Sequence, residues 1–220
     1  MWLHGQLTDQ KYLILVQWPV PMMIGAGFAA TNHNMLDVTV RSEFANGGRL
    51  WLVDNVFDPI LLSQVNKLFV NAENNTDWQN IPEFAHRPGR LVYRGNHPVL
   101  TAIDTWARAN INEFNRIFMA NVKFLNFDLW YDLPGYVVSN HKDGDQNRYA
   151  MQVYLGEPTL TWQMLGTCFN RENNNPLFEV HYRTNSGYMI ERPDLIWHSV
   201  NHSIPEKYRR MHIYLRFSAE

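Results

Sequence analysis

Three side chains have the types and spacing to hold a metal ion. His141 and Asp143 stand two residues apart in Asn140-His-Lys-Asp-Gly, and His198 follows much later in Ile196-Trp-His-Ser-Val. In an extended segment, residues i and i+2 point to the same side, so His141 and Asp143 can face one ion from a strand end. Two imidazoles and one carboxylate bind a divalent metal on one face and leave the other face open, an arrangement suited to non-haem iron(II). Alternatives stay open in the residues themselves. Asp145 is a rival carboxylate beyond Gly144, and His202 a rival imidazole four residues after His198. That second spacing suits a helix, which Pro205 and the strand-like surroundings oppose. Taken singly, a His-x-Asp pair also occurs in solvated loops, and a histidine beside a tryptophan is commonly a core-edge residue.

Downstream, Tyr208-Arg-Arg-Met-His-Ile-Tyr-Leu-Arg-Phe carries Arg209 and Arg210 into an apolar run. Either guanidinium can grip a carboxylate with two parallel hydrogen bonds. Along a strand Arg210 would share a face with His212 and Tyr214, opposite Met211, Ile213 and Leu215, and the residues by themselves leave the choice between the two arginines open. Arg209 is one residue of slip away.

A scaffold must bring these groups together, and the composition allows one. At 220 residues the chain is long enough for a single domain with a large core. Apolar residues make up 45%, and charged residues only 18% with a net charge of −2. No run of Lys or Arg forms a broad nucleic-acid surface. Cys168 is the single cysteine, so no internal disulfide can form, and a cytoplasmic setting is expected. The apolar stretch Tyr12–Met23 contains Gln17, Pro19 and Pro21 and is too short and broken to span a bilayer. The N-terminus also lacks the pattern of a secretory leader. A soluble protein without transmembrane association is the expectation, and its oligomeric state is not encoded in any visible pattern.

Along the chain, residues 12–18 read as a strand ended by Pro19, and 37–41 and 50–53 as two further strands around an Asn46-Gly-Gly turn. Residues 1–45 form an N-terminal extension of strands or loops in this reading, ahead of a main region over 46–220. Asp58-Pro59 is a helix start, because Asp caps free amide hydrogens and Pro is tolerated in the first turn. Ile60, Leu61, Leu62, Val65, Leu68 and Phe69 then recur on one helical side. Pro98 opens a second helix expected to run to Met119, with Leu100, Ile103, Trp106, Ile111, Phe114 and Ile117 as its apolar stripe. Residues 74–88 read as loop, 91–93 as a brief strand, and 121–131 as another. The rest is β-rich, so sheets covered by helices on one side are the natural outcome.

With these residues in place, the chain from 50 to 217 resembles the iron(II)/2-oxoglutarate-dependent dioxygenases, in particular their prolyl-4-hydroxylase-like branch. Val53-Asp-Asn-Val-Phe-Asp-Pro before a helix resembles the family's opening segment. Pro134-Gly-Tyr leads toward His141 and Asp143, Tyr154-Leu-Gly resembles a strand supplying a co-substrate tyrosine, and Trp197-His-Ser-Val with Arg210 resembles the distal histidine and the 2-oxoglutarate arginine. The chain departs from the pattern where Pro158-Thr-Leu-Thr-Trp follows the Tyr154 strand in place of a glycine pair, and in the longer intervals from Gly135 to His141 and from His198 to Arg210.

The resemblance implies a mainly β fold with supporting helices, a double-stranded β-helix or jelly roll. It implies Fe(II) held by His141, Asp143 and His198. 2-Oxoglutarate would be anchored by Arg210, or Arg209 one register away, and by Tyr154 or Tyr131. It also implies dioxygen as co-reactant, release of succinate and carbon dioxide, and hydroxylation of an unactivated carbon, possibly of a prolyl or other peptide residue or of a small molecule. Trp130, Trp162, Trp197 and Tyr149 are candidates for an apolar pocket wall, although ordinary packing accounts for aromatics of this kind. Two other classes use the same residues. A metal-dependent hydrolase or isomerase would need no Arg210, and a non-catalytic jelly-roll binding protein would need no metal.

Overall fold

The computed structural model describes residues 36–44, 46–80, 89–144, 147–156 and 162–220. The expected strand at 12–18, the rival carboxylate Asp145 and the side chain of Trp162 lie outside them. The first strands, β1 (Asp37–Glu43) and β2 (Arg49–Asp54), pair antiparallel through the Asn46-Gly-Gly turn. Helix α1 (Pro59–Lys67) starts where the sequence places it: the Asp58 carboxylate accepts the Ile60 and Leu61 amide hydrogens at 2.8 and 3.0 Å. Such a cap contributes about 1 kcal/mol.

Two short strands follow, β3 (Trp78–Gln79) and β4 (Arg90–Tyr93). The single helix expected from Pro98 to Met119 is in fact two, α2 (Pro98–Ala109) and α3 (Ile111–Phe118). Asn110 separates them with φ −94° and ψ 10°, and its side-chain amide donates to the Trp106 carbonyl at 2.8 Å. An asparagine that satisfies the last turn of one helix with its own side chain competes with the backbone for that carbonyl, and the axis breaks there. The apolar stripe continues through the break, which is why periodicity alone reads as one helix.

The remaining strands are β5 (Val122–Asp132), β6 (Val138–His141), β7 (Tyr149–Leu155), β8 (Trp162–Asn170), β9 (Pro176–Tyr182), β10 (Ser186–Glu191), β11 (Trp197–Val200) and β12 (Arg210–Ala219). They form two antiparallel sheets. The larger has the order β1-β2-β10-β7-β12-β5-β4-β3, and the smaller β6-β11-β8-β9. Among the described residues, segment 37–43 is thus an edge strand of the main sheet.

Strand alternation divides the interior into two cores. Leu129, Met151, Val153, Ile213 and Leu215 point from the large sheet toward the helices and pack with Leu61, Val65, Ile103 and Phe114. Trp130, Ala150, Tyr154 and Tyr214 point the other way and pack against Leu165, Phe169, Val180 and Ile196 of the small-sheet side. The result is a helix layer, a large sheet and a small sheet, the double-stranded β-helix. Gly187 makes the close approach of β10 to β7 possible, because a Cβ there would meet the Gln152 carbonyl oxygen at 1.9 Å. Among the described residues no helix is long and apolar enough to cross a membrane.

Candidate metal centre

His141 ends β6, and β11 carries His198 directly opposite it in antiparallel register. Their rings lie 4.4 Å apart, centroid to centroid. Asp143 sits two residues beyond His141, just off the strand end, and its Oδ1 lies 3.6 Å from His141 Nε2 and 3.5 Å from His198 Nε2. The three ligand atoms fall within 4.8 Å of one another. Ligands at about 2.1 Å from one ion, on one face, sit about 3 Å apart, so a small contraction closes this set on a metal.

The backbone also selects the correct tautomer. His141 Nδ1 lies 2.9 Å from the Ser139 carbonyl, and His198 Nδ1 lies 3.1 Å from that of Ile196. A carbonyl only accepts, so each Nδ1 carries a proton and each Nε2 faces the shared point, where it must give up any proton it holds for a metal to bind. Burial opposes a charge on Asp143, but the neighbouring His198 and hydrogen bonds from His141, His198 and Tyr214 outweigh it and hold the carboxyl well below its usual range. Asp143 is therefore anionic and ready to bind a cation. Side-chain exposures of 22, 25 and 11% for His141, Asp143 and His198 leave the triad reachable from solvent.

A narrow cleft of about 40 Å³ runs from the triad into the space between the sheets, lined further by Arg90, Trp130, Gln152, Thr167, Tyr188, Arg210 and Tyr214. At its inner end Arg90, Asp132 and Arg210 are consecutive cross-strand partners on β4, β5 and β12. Arg90 grips Asp132 with two bonds of 2.6 and 2.9 Å, and Arg210 Nη1 reaches the same carboxylate at 2.9 Å. His212 Nε2 lies 3.1 Å from it. All four side chains are essentially sealed from water.

Burial raises the cost of charge on Asp132, yet Arg90 and His212 hold it far below the usual carboxylate range. Burial and the Arg210 charge push His212 down to about 3, so it is neutral at pH 7. Two guanidinium charges then face one carboxylate, leaving one positive charge in a low-dielectric interior, where an anionic guest is favoured. Arg210 commits Nε to the Leu165 carbonyl at 2.7 Å, Nη1 to Asp132, and one Nη2 hydrogen to Thr167 Oγ1 at 2.9 Å. Among the described residues one Nη2 hydrogen remains for a ligand.

The other expected anchors fall in different places. Tyr154 is buried in the same interior and donates to Thr167 Oγ1 at 2.9 Å, so it stands one hydrogen bond behind the cleft. Tyr131 and Arg209 are not brought to the cleft. Both turn to Glu73 on the far side, at 3.2 and 2.6 Å, because alternation sends Phe127, Leu129 and Tyr131 of β5 to the helix face and Arg209 precedes β12. Tyr149 packs on Phe118 beneath the helices, and Trp197 sits under Lys142 Nζ at 4.8 Å, so among the described side chains of the proposed wall only Trp130 lines the cleft. His202 is exposed and outside the cluster. Arg90 and Asp132 escape a sequence reading. Their one signal is a charged residue on the inward phase of an apolar strand.

Fold and cluster together give a double-stranded β-helix with a two-histidine, one-carboxylate group that could hold a metal. No protein-family model and no curated protein matches the chain. Solved structures do. A prolyl hydroxylase from Trichoplax adhaerens, in complex with a hypoxia-inducible-factor oxygen-degradation-domain peptide, aligns with TM-score 0.59 and 12% identity over 77% of this chain and 83% of that one. A 2OG-Fe(II) oxygenase-family oxidoreductase from Burkholderia pseudomallei gives 0.56 and 12% over 77% and 84%. SnoN, a non-haem α-ketoglutarate-dependent epimerase of nogalamycin biosynthesis, gives 0.57 and 8% over 77% of each chain. The chain has the fold of the 2OG-Fe(II) oxygenases and prolyl hydroxylases. That this fold also carries an epimerase shows that it does not by itself settle the reaction.

Proposed function

We propose that this protein is an iron(II)- and 2-oxoglutarate-dependent oxygenase that hydroxylates an unactivated carbon of a peptide, prolyl residue included, or of a small molecule. The observation that carries this reading is the placement of three convergent ligand atoms and a buried arginine at opposite ends of one cleft. His141 Nε2, Asp143 Oδ1 and His198 Nε2 would hold the iron. Iron held there would supply oxidative decarboxylation of 2-oxoglutarate by dioxygen, to succinate and carbon dioxide, coupled to hydroxyl transfer.

Arg210 takes the distal carboxylate through its remaining Nη2 hydrogen. Thr167 supports it: Oγ1 accepts from Arg210 and so fixes the guanidinium in the cleft that both line. Tyr154 acts through Thr167 rather than by touching the ligand. Charge balance favours a dianion. A divalent ion against Asp143 leaves one positive charge, the arginine pair against Asp132 leaves a second, and a dicarboxylate cancels both. Trp130, Val138 and Val200 supply the apolar wall that keeps water from the reacting groups. The cleft is narrow, so a five-carbon diacid enters by displacing side chains that line it.

The test is an anaerobic titration with iron(II) and 2-oxoglutarate, followed by visible absorption. A charge-transfer band that needs both components supports the proposal. Its absence, with no succinate formed on admitting oxygen, favours a non-catalytic binding protein.

A further inference from the structure

Asp143 is the metal ligand with the least local support. It lies beyond the end of β6, with Gly144 next to it, so no strand pairing fixes its side chain. The two histidines are held by cross-strand register and by their own carbonyl contacts. Asp143 is held instead from the opposite sheet. Its Oδ2 lies 2.5 Å from Tyr214 Oη, while Oδ1 faces both imidazoles. A carboxylate only accepts, so the phenol donates.

Tyr214 is a firm anchor. It lies in the middle of β12, paired on one side with β5 and on the other with β7. Its ring stacks on Trp130 at 5.0 Å and 12°, and the Arg216 guanidinium lies 5.1 Å from the ring centre. The bond ties the large sheet to a ligand that belongs to the small one.

We propose that Tyr214 is a positioning residue that makes Asp143 a one-oxygen ligand. With Oδ2 occupied by the phenol, Asp143 binds a metal through Oδ1 alone. A carboxylate free of that bond can chelate through both oxygens and consume one more coordination position. Holding it to one oxygen keeps three positions of a six-coordinate ion open, the number needed by a chelating 2-oxo acid and one further small ligand. This inference rests on the oxygenase reading of the site.

Tyr214→Phe removes the hydroxyl and keeps the stacked ring. Cobalt(II) is the probe, with affinity measured against a competing chelator and the visible d–d spectrum recorded on the full chain. Loss of an outer partner of a metal ligand typically weakens metal affinity about 10- to 100-fold. We expect that loss, a changed d–d spectrum and a weaker response to added 2-oxoglutarate, with the metal-free melting temperature and far-UV circular dichroism as in the wild type. Equal cobalt affinity and an identical spectrum in the variant overturn the role of Tyr214 while the site itself stands. A wild type that takes no cobalt overturns both. A variant whose cobalt affinity falls only in proportion to a lower metal-free melting temperature assigns Tyr214 to structure and overturns the proposal.

Discussion

The two ends of the cleft are built on opposite plans. At the outer end, His141, Asp143 and His198 converge with their ligand atoms aimed at a common point and partly open to solvent. At the inner end, Arg90, Asp132, Arg210 and His212 are sealed and bonded chiefly to one another. The outer group is preorganised for something that comes from outside. The inner group is nearly complete, one charge short of neutral. The difference teaches where each carboxylate matters: Asp143 for what the protein binds, Asp132 for whether the protein folds.

Exchanging the two carboxylates for neutral residues is the sharpest way to break that contrast. Asp132→Asn leaves two buried guanidinium groups without a counter-charge and should cost about 3–5 kcal/mol of stability. Chemical denaturation of the metal-free protein measures it, and a loss below about 1 kcal/mol would erase the distinction. Asp143→Ala should cost less, about 1–3 kcal/mol for the Tyr214 hydroxyl left without its acceptor, and sharply weaken iron binding. Undiminished iron affinity and turnover there would count against the triad.

Arg210→Gln comes next. Losing a charge-assisted contact of about 1.5–3 kcal/mol should raise the 2-oxoglutarate requirement roughly 10- to 100-fold. The metal affinity measured without co-substrate should stay near that of the wild type. An unchanged 2-oxoglutarate titration would detach Arg210 from the co-substrate.

The inner group should also make stability depend on acid. His212 has a folded pKa of about 3 against an ordinary 6.5, so the unfolded chain binds more protons between those values. Stability is therefore fully present above about pH 6.5 and is lost as pH falls toward 3, with Asp132 adding loss of the same sign below its ordinary range. Denaturation midpoints at pH 7 and pH 4.5 check this. His212→Asn, which keeps a polar contact without titrating, should flatten the slope.

The smallest effect belongs to the neighbour of Arg210. Arg209→Gln breaks a partly exposed pair with Glu73 and should change stability by less than about 1 kcal/mol. Its 2-oxoglutarate titration should superimpose on that of the wild type. If Arg209→Gln raised the requirement and Arg210→Gln did not, the register of β12 would need revision.

Much of this was legible before any fold was in hand, and particular residues show why. Asp58 caps α1 through contacts within three residues, and the His141-x-Asp143 spacing needs only strand periodicity. The choice of Arg210 as the inward residue follows from the family resemblance together with alternation around Ile213 and Leu215, which the structure buries against the helices. The break at Asn110 was hidden because side-chain competition for one carbonyl leaves hydrophobic periodicity intact. That Tyr131 faces the helices was hidden for a related reason: near the cleft Leu129, Trp130 and Tyr131 make both faces of β5 apolar, so alternation alone does not say which one meets the cleft.

Local patterns, acting over two to four residues, together with a family resemblance, were enough to single out three candidate ligands and the inward arginine, because backbone geometry dictates which neighbours share a face. The partners of those residues were not available locally. Arg90 meets Asp132 across 42 positions, Arg210 meets it across 78, and Tyr214 meets Asp143 across 71. Such pairs exist only after the strands choose their neighbours, a choice made by the packing of two whole cores and by the high cost of leaving a buried charge alone.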